Sequence, residues 1–170
     1  MAEPVTLQIL LTYLTLISVP VGVLYHIMTL RNTRRNQELT LETRHAQMFM
    51  GIYGQLNQPE FIDAWRTFMN MEWNTYEEYM QIQNDPELGR SLWVLGMFYE
   101  PLGVLVKEEL VPMRLVAQTI TGMTRMYWEK LVPIIEEGRR AMSLPRWYSE
   151  TEYLYNELMK YIDEHPELKT

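Results

Sequence analysis

A run of 26 residues without Asp, Glu, Lys or Arg, from Val5 to Leu30, constrains this chain more than any other feature. As an α-helix the run would be about 39 Å long, against about 30 Å for the hydrocarbon core of a bilayer. A cleaved signal peptide has a basic start and a shorter apolar stretch, and a core helix has a polar face that this run lacks. We therefore predict that residues 1–30 form a transmembrane anchor.

Arginines follow the apolar run, and none precede it. Arg31, Arg34 and Arg35 come directly after Leu30, whereas residues 1–4 contain no Lys or Arg. Basic residues beside a membrane-spanning helix are retained on the cytoplasmic side. We expect a single-pass protein of the plasma (inner) membrane, with its N-terminus outside and its C-terminal domain in the cytoplasm. The three arginines form a positive cluster at the membrane interface, where they can contact anionic lipid head groups of the bilayer.

Small and hydrogen-bonding side chains fall on one side of the predicted anchor. At 100° per residue they occupy an arc of about 100°. Such residues mediate helix packing in lipid, where burying aliphatic side chains against each other gains little; the alternative is that the threonines bond carbonyls of their own helix. We predict that this transmembrane stripe contacts another membrane helix; its residues are Gln8, Thr12, Thr15, Gly22, His26 and Thr29.

The rest of the chain is acidic and contains no cysteine. Residues 31–170 contain 15 Lys and Arg against 21 Asp and Glu, which gives a net charge of −6. An acidic segment without a basic stripe is unsuited to gripping nucleic acid, so we expect no nucleic-acid partner. The absence of cysteine excludes disulfides and thiolate metal sites. An apolar content of 47% is enough for a core.

Proline, glycine and capping signals predict where helices begin. Pro59 suits the first turn of a helix, and Asp85 followed by Pro86 suits the start of another. The sequence SETE suits a capping box, with Ser149 as N-cap and Glu152 three residues later.

These signals predict the organisation of the whole chain. No segment alternates between apolar and polar residues with a period of two for long, which argues against strands. We predict an all-α fold, with one N-terminal transmembrane helix followed by a cytoplasmic helical bundle of about five to six helices. The predicted boundaries are 1–30 for the anchor, 31–57 for a juxtamembrane stalk and 58–165 for the helical domain.

Two clusters of polar residues are candidates for chemistry. Glu42 and His45 have the Glu-x-x-His spacing of di-iron carboxylate bundles. Those sites need a second such motif and two further glutamates, and the chain has no second motif. We therefore interpret the pair as a solvated helix face and expect neither a metal nor another cofactor.

Glu100 is an acidic residue within the strongly apolar sequence LWVLGMFYEPLGVLV. A buried carboxylate must be neutralised or paired. We predict a structural ion pair between Glu100 and Arg139 or Arg140. The functional alternative is a proton-handling carboxylate.

Several motifs resemble those of a family of bacterial and archaeal proteins known as domain of unknown function 4760. The resemblance rests on the hydrophobic N-terminal helix and on four motifs, and it covers most of residues 40–162. It implies a membrane-anchored helical domain without an assigned activity. The motifs are QPEF at 58–61, FYEPLG at 98–103, MYWEKLVPIIEEGRR at 126–140 and SETEYLY at 149–155.

The sequence favours a non-enzymatic role without identifying a partner. It contains no Gly-rich phosphate loop and no nucleophile elbow. Its 13 Met, 11 Tyr and 5 Trp are residue types common at protein interfaces. We predict an accessory or stabilising subunit of a larger membrane assembly that binds other membrane protein chains. The alternatives are a self-associating membrane scaffold and an enzyme or proton-coupled site centred on Glu100.

Overall fold

The computed structural model describes residues 3–168, which form seven α-helices and one short 3₁₀ helix and contain no β-strand. Contacts between Cα atoms divide the chain into two units, one up to Arg44 and the second from His45 onward. The elements in chain order are α1 (Glu3–Leu56), α2 (Pro59–Asn70), α3 (Tyr76–Asn84), α4 (Leu88–Lys107), α5 (Met113–Thr119), α6 (Thr121–Ala141), α7 (Ser149–Glu164) and the 3₁₀ helix (Pro166–Leu168).

The first unit consists of α1 up to Arg44. Its apolar side chains from Leu7 to Leu30 are exposed, as the large hydrophobic residues Leu14, Leu16 and Tyr25 show with exposed fractions above 60%. Within the described residues, α1 is the one helix long and apolar enough to cross a membrane. This agrees with the prediction of one long apolar N-terminal helix.

The second unit is a bundle built around α4. This helix packs against α2, α3 and α7, while α6 packs against α3, α5 and α7. The core between them is rich in aromatic residues, and Phe68, Tyr99 and Tyr127 are completely buried. The last turns of α1 also belong to this unit, and they contribute the buried ring of Phe49. Six α-helices follow α1, so the predicted all-α bundle of five to six helices is confirmed.

Of the three predicted helix starts, the one at Pro59 agrees with the structure. The helix α2 begins with Pro59 in its first position, where a missing N–H is no loss. The Asp85 carboxylate accepts hydrogen bonds from the backbone N–H groups of Glu87 and Leu88, both at 2.9 Å. However, α4 begins at Leu88 with Glu87 as its N-cap, so the start predicted at Asp85 and Pro86 is two residues early.

The prediction that Ser149 is an N-cap is wrong by one residue. The helix α7 begins at Ser149, and the N-cap is Tyr148 in the left-handed backbone region, with φ of 56°. The Ser149 hydroxyl contacts the carboxylate of Glu150 at 3.2 Å instead of capping the helix. Burial of the Tyr148 ring holds it in this position, because packing here outweighs the usual preference for a polar N-cap.

Candidate apolar pocket with one carboxylate

An open pocket of about 740 Å³ lies in the second unit between α3, α4 and the segment that joins α6 to α7. Its floor is one face of α4, where Gly89, Gly96 and Glu100 follow one another at helical spacing. The two glycines let neighbouring atoms approach α4 closely, since a Cβ atom would lie 2.1 Å from the Gln83 carbonyl oxygen at Gly89 and 3.2 Å from the Tyr148 hydroxyl at Gly96. Trp93 and Met97 line the pocket beside them and are 66% and 54% exposed.

The opposite wall is the segment 142–148, which includes Leu144, Arg146, Trp147 and Tyr148 at the pocket. This segment turns sharply, since Ser143 and Tyr148 both have positive φ. It also lies very close to α6: a Cβ atom on Gly138 would be 2.2 Å from the Trp147 ring. The glycine is therefore needed for this wall to take its place.

Arg139 fixes the same wall from the side of α6. Its Nε donates a 3.1 Å hydrogen bond to the carbonyl of Trp147, and its guanidinium pairs with Glu152 of α7 at 2.6 Å. A weaker contact of 3.8 Å joins it to Glu136. Arg139 thus ties α6, the loop and α7 together, which makes it a positioning residue for the pocket.

Glu100 contributes a carboxylate to the pocket. Its Oε1 accepts two hydrogen bonds from Thr151 at the start of α7, one from the backbone N–H at 2.8 Å and one from the hydroxyl at 2.6 Å. Among the described residues, no group donates a hydrogen bond to Oε2. The fold therefore supplies hydrogen-bond donors to one oxygen of this carboxylate, Oε1, and none of the described residues donates to the other.

The predicted pairing of Glu100 with Arg139 or Arg140 differs from this arrangement. Arg139 is engaged by Glu152, and the Nε of Arg140 donates to the carbonyl of Glu136. The physical reason is that the first turn of α7 packs against α4, so its free N–H and the Thr151 hydroxyl reach Glu100 first.

Tyr79 and Tyr148 of the pocket continue into a buried group of phenol rings with Tyr99 and Tyr127. The rings of Tyr99 and Tyr127 are stacked with centroids 4.2 Å apart, and the Tyr127 hydroxyl donates to that of Tyr148 at 3.5 Å. Burial raises the pKa of all four phenols above the usual value, and the neighbouring Tyr148 raises the pKa of Tyr79 and Tyr127 further. These phenols stay neutral, and the rings of Tyr79 and Tyr148 form the buried side of the pocket.

A buried acidic residue that the sequence did not single out lies beside the pocket. Glu150 is 7% exposed, and its two carboxylate oxygens pair with Lys107 and with Arg146, each at 2.9 Å. Hydrogen bonds from Lys107 and then Arg146 lower the pKa of Glu150. Arg146 lines the pocket and shares the Glu150 carboxylate with Lys107, so two positive charges face one negative charge here.

The remaining predicted residues are not among those that line the pocket. The residues of the transmembrane stripe lie on α1, where Gln8, Thr12, Thr15, His26 and Thr29 are exposed and Gly22 is partly exposed. The hydroxyls of Thr12 and Thr15 donate to the carbonyls of Gln8 and Leu11 of the same helix.

The interface arginines and the metal candidates also lie on α1. Arg31, Arg34, Arg35 and Glu42 are exposed, and His45 is half-buried. In residues 3–168 no group of three or more His, Cys, Asp or Glu side chains could hold a metal ion.

The fold defines an all-helical domain that follows a long apolar helix. Residues 16–158 match the model of the family named domain of unknown function (DUF4760), and the chain belongs to this family. No curated protein and no solved structure matches the chain. The resemblance seen in the sequence is thereby confirmed at the level of the family.

Proposed function

We propose that this protein is a single-pass membrane subunit whose cytoplasmic helical domain stabilises a larger membrane assembly without catalysing a reaction. The observation that carries the proposal is that no residue in the most apolar part of α1 is buried. A helix with apolar residues on all sides is stable in lipid or against another chain, and not in water. The arginines 31, 34 and 35 support a cytoplasmic position for the second unit.

The transmembrane stripe supports contact with another membrane helix. A Cβ atom added at Gly22 would have no other atom within 4 Å, so this glycine leaves a shallow surface on which a second helix can approach closely. The hydroxyls of Thr12 and Thr15 are satisfied within α1, so these two residues offer close packing more than strong hydrogen bonds.

The test is native mass spectrometry of the tagged protein, extracted from its native membrane in polymer discs. We expect a fixed ratio of this chain to unrelated membrane chains. Gly22→Leu should reduce the recovery of those chains about tenfold, since the larger side chain blocks close helix packing. Val21→Leu, which adds bulk on the same helix about 100° from Gly22 and about 80° beyond the edge of the stripe, is the control and should leave the recovery unchanged.

The other outcomes decide against the proposal. A pure homo-oligomer would show a self-associating scaffold instead. A monomer without other chains, or equal effects of the two leucine variants, would show that the stripe makes no specific contact.

A further inference from the structure

We propose that the pocket over α4 binds a small organic cation with an apolar body, such as an alkylated or aryl-substituted ammonium ion. This inference concerns the second unit alone and does not rest on the proposed membrane function. Three observations support it: the pocket's aromatic walls, the half-satisfied carboxylate of Glu100 and the charge of the surrounding domain.

The walls favour a cation over a neutral ligand. Trp93 and Trp147 line the pocket with an exposed and a half-buried ring respectively, whereas Tyr79 and Tyr148 also line it but are buried. The faces of accessible aromatic rings attract organic cations. Trp93 is 66% exposed, although a tryptophan side chain gains considerably from burial. A bound ligand would cover this ring, and no described residue does so.

The carboxylate sets the sign of the ligand's charge. Thr151 holds Oε1 of Glu100 through two hydrogen bonds, which fixes the orientation of the carboxylate. The other charged side chain at the pocket, Arg146, is paired with Glu150 at 2.9 Å. Glu100 is the one carboxylate among the residues that line the pocket, and it has no ion-pair partner among the described residues.

The domain as a whole attracts the same kind of ligand. Residues 45–170 contain 11 Lys and Arg against 19 Asp and Glu, a net charge of −8. Such a field concentrates cations near the surface and disfavours anions. The pocket volume of about 740 Å³ fits a ligand with an apolar body larger than a bare ammonium ion.

The experiment compares three ligands that share one ring and differ in charge: benzyltrimethylammonium, benzyl alcohol and benzoate. Each is titrated calorimetrically into the full chain in polymer discs, with empty discs as the blank. We expect one site at which the cation binds about tenfold more tightly than the alcohol, with benzoate weakest of the three.

Matched variants separate the local charge from the overall charge. Glu100→Gln keeps an oxygen for Thr151 but removes the charge, and it should reduce cation binding to the level of the alcohol. Glu137→Gln removes one charge from an exposed position of α6 outside the pocket, and it should leave binding unchanged.

A second pair of variants tests the aromatic wall independently of Glu100. Trp93→Leu keeps an apolar side chain at this exposed position and should weaken cation binding about fivefold, whereas Trp93→Phe should restore most of it. Equal binding of the three ligands, or cation binding that survives both Glu100→Gln and Trp93→Leu, would overturn the proposal. Such a result would leave the mass-spectrometric test of the membrane function unaffected.

Discussion

At the scale of single residues, the buried phenols determine how the second unit responds to high pH. Tyr79, Tyr99, Tyr127 and Tyr148 form one group, and burial is the largest cause of the raised pKa of each. Electrostatic repulsion from Tyr76 raises the pKa of Tyr79 further, and repulsion from Glu100 raises the pKa of Tyr148. Ionising any of these phenols in place would leave a buried charge without a cationic partner.

The protein should therefore lose stability steeply above pH 10. Below the ordinary tyrosine pKa of about 10 the phenols are neutral in both states, and their contribution to stability is complete. As the pH rises further, the unfolded chain releases these protons while the folded chain retains them. Each of the four buried tyrosines then lowers the free energy of unfolding by about 1.4 kcal/mol per pH unit. Urea unfolding between pH 8 and 11.5 measures this slope.

The absorbance of the folded protein at 295 nm provides the check on that prediction. These four phenols should show no phenolate signal until the protein unfolds. Phenolate formation by all eleven tyrosines in the folded state near pH 10, or a flat stability up to pH 11.5, would contradict the buried arrangement.

At the scale of the helices, the contact of α4 with α7 depends on one small residue. A Cβ atom on Gly103 would lie 2.1 Å from the carbonyl oxygen of Glu150. The two backbones touch here, and the same contact brings Thr151 to Glu100.

Gly103→Ala should destabilise the protein by about 2–4 kcal/mol, because a backbone carbonyl cannot move aside as a flexible side chain would. Gly51→Ala is the control within α1, since nothing lies within 4 Å of its Cβ position. That control should stabilise by up to about 1 kcal/mol through helix propensity. Urea unfolding of both variants measures the difference, and equal stability of the two would show that α4 and α7 are not in contact at Gly103.

Local signals in the sequence were enough to predict the helices but not the contacts between them. Pro59 and Asp85 act within one turn, so their role at helix starts was visible in the sequence. Thr151, the partner of Glu100, is 51 residues away, and no short-range pattern links them. The spacing of Gly89 and Gly96 was an available signal for close approaches to α4, which Gln83 and Tyr148 make.

The pocket wall was beyond prediction for a different reason. Ser143 and Tyr148 adopt positive φ without being Gly or Asn, the residues that usually mark this conformation. Their conformation follows from the packing of Trp147 on Gly138 and from the bonds of Arg139. These contacts exist only once α6 and α7 are in place.

At the scale of the whole molecule, the proposed membrane function requires that α1 crosses a membrane and that the second unit lies on the cytoplasmic side. The chain contains no cysteine, so each single-cysteine variant carries one thiol. Ala2→Cys places a thiol before the apolar stretch, and Thr119→Cys places one at an exposed position of α5.

The most direct measurement is the reaction of these two variants with a membrane-impermeant maleimide in sealed, right-side-out vesicles. We expect Ala2→Cys to react at once and Thr119→Cys to react only after the vesicles are opened. Immediate reaction of Thr119→Cys, or protein recovered in the soluble fraction without its apolar stretch, would contradict the central claim that α1 anchors a cytoplasmic domain.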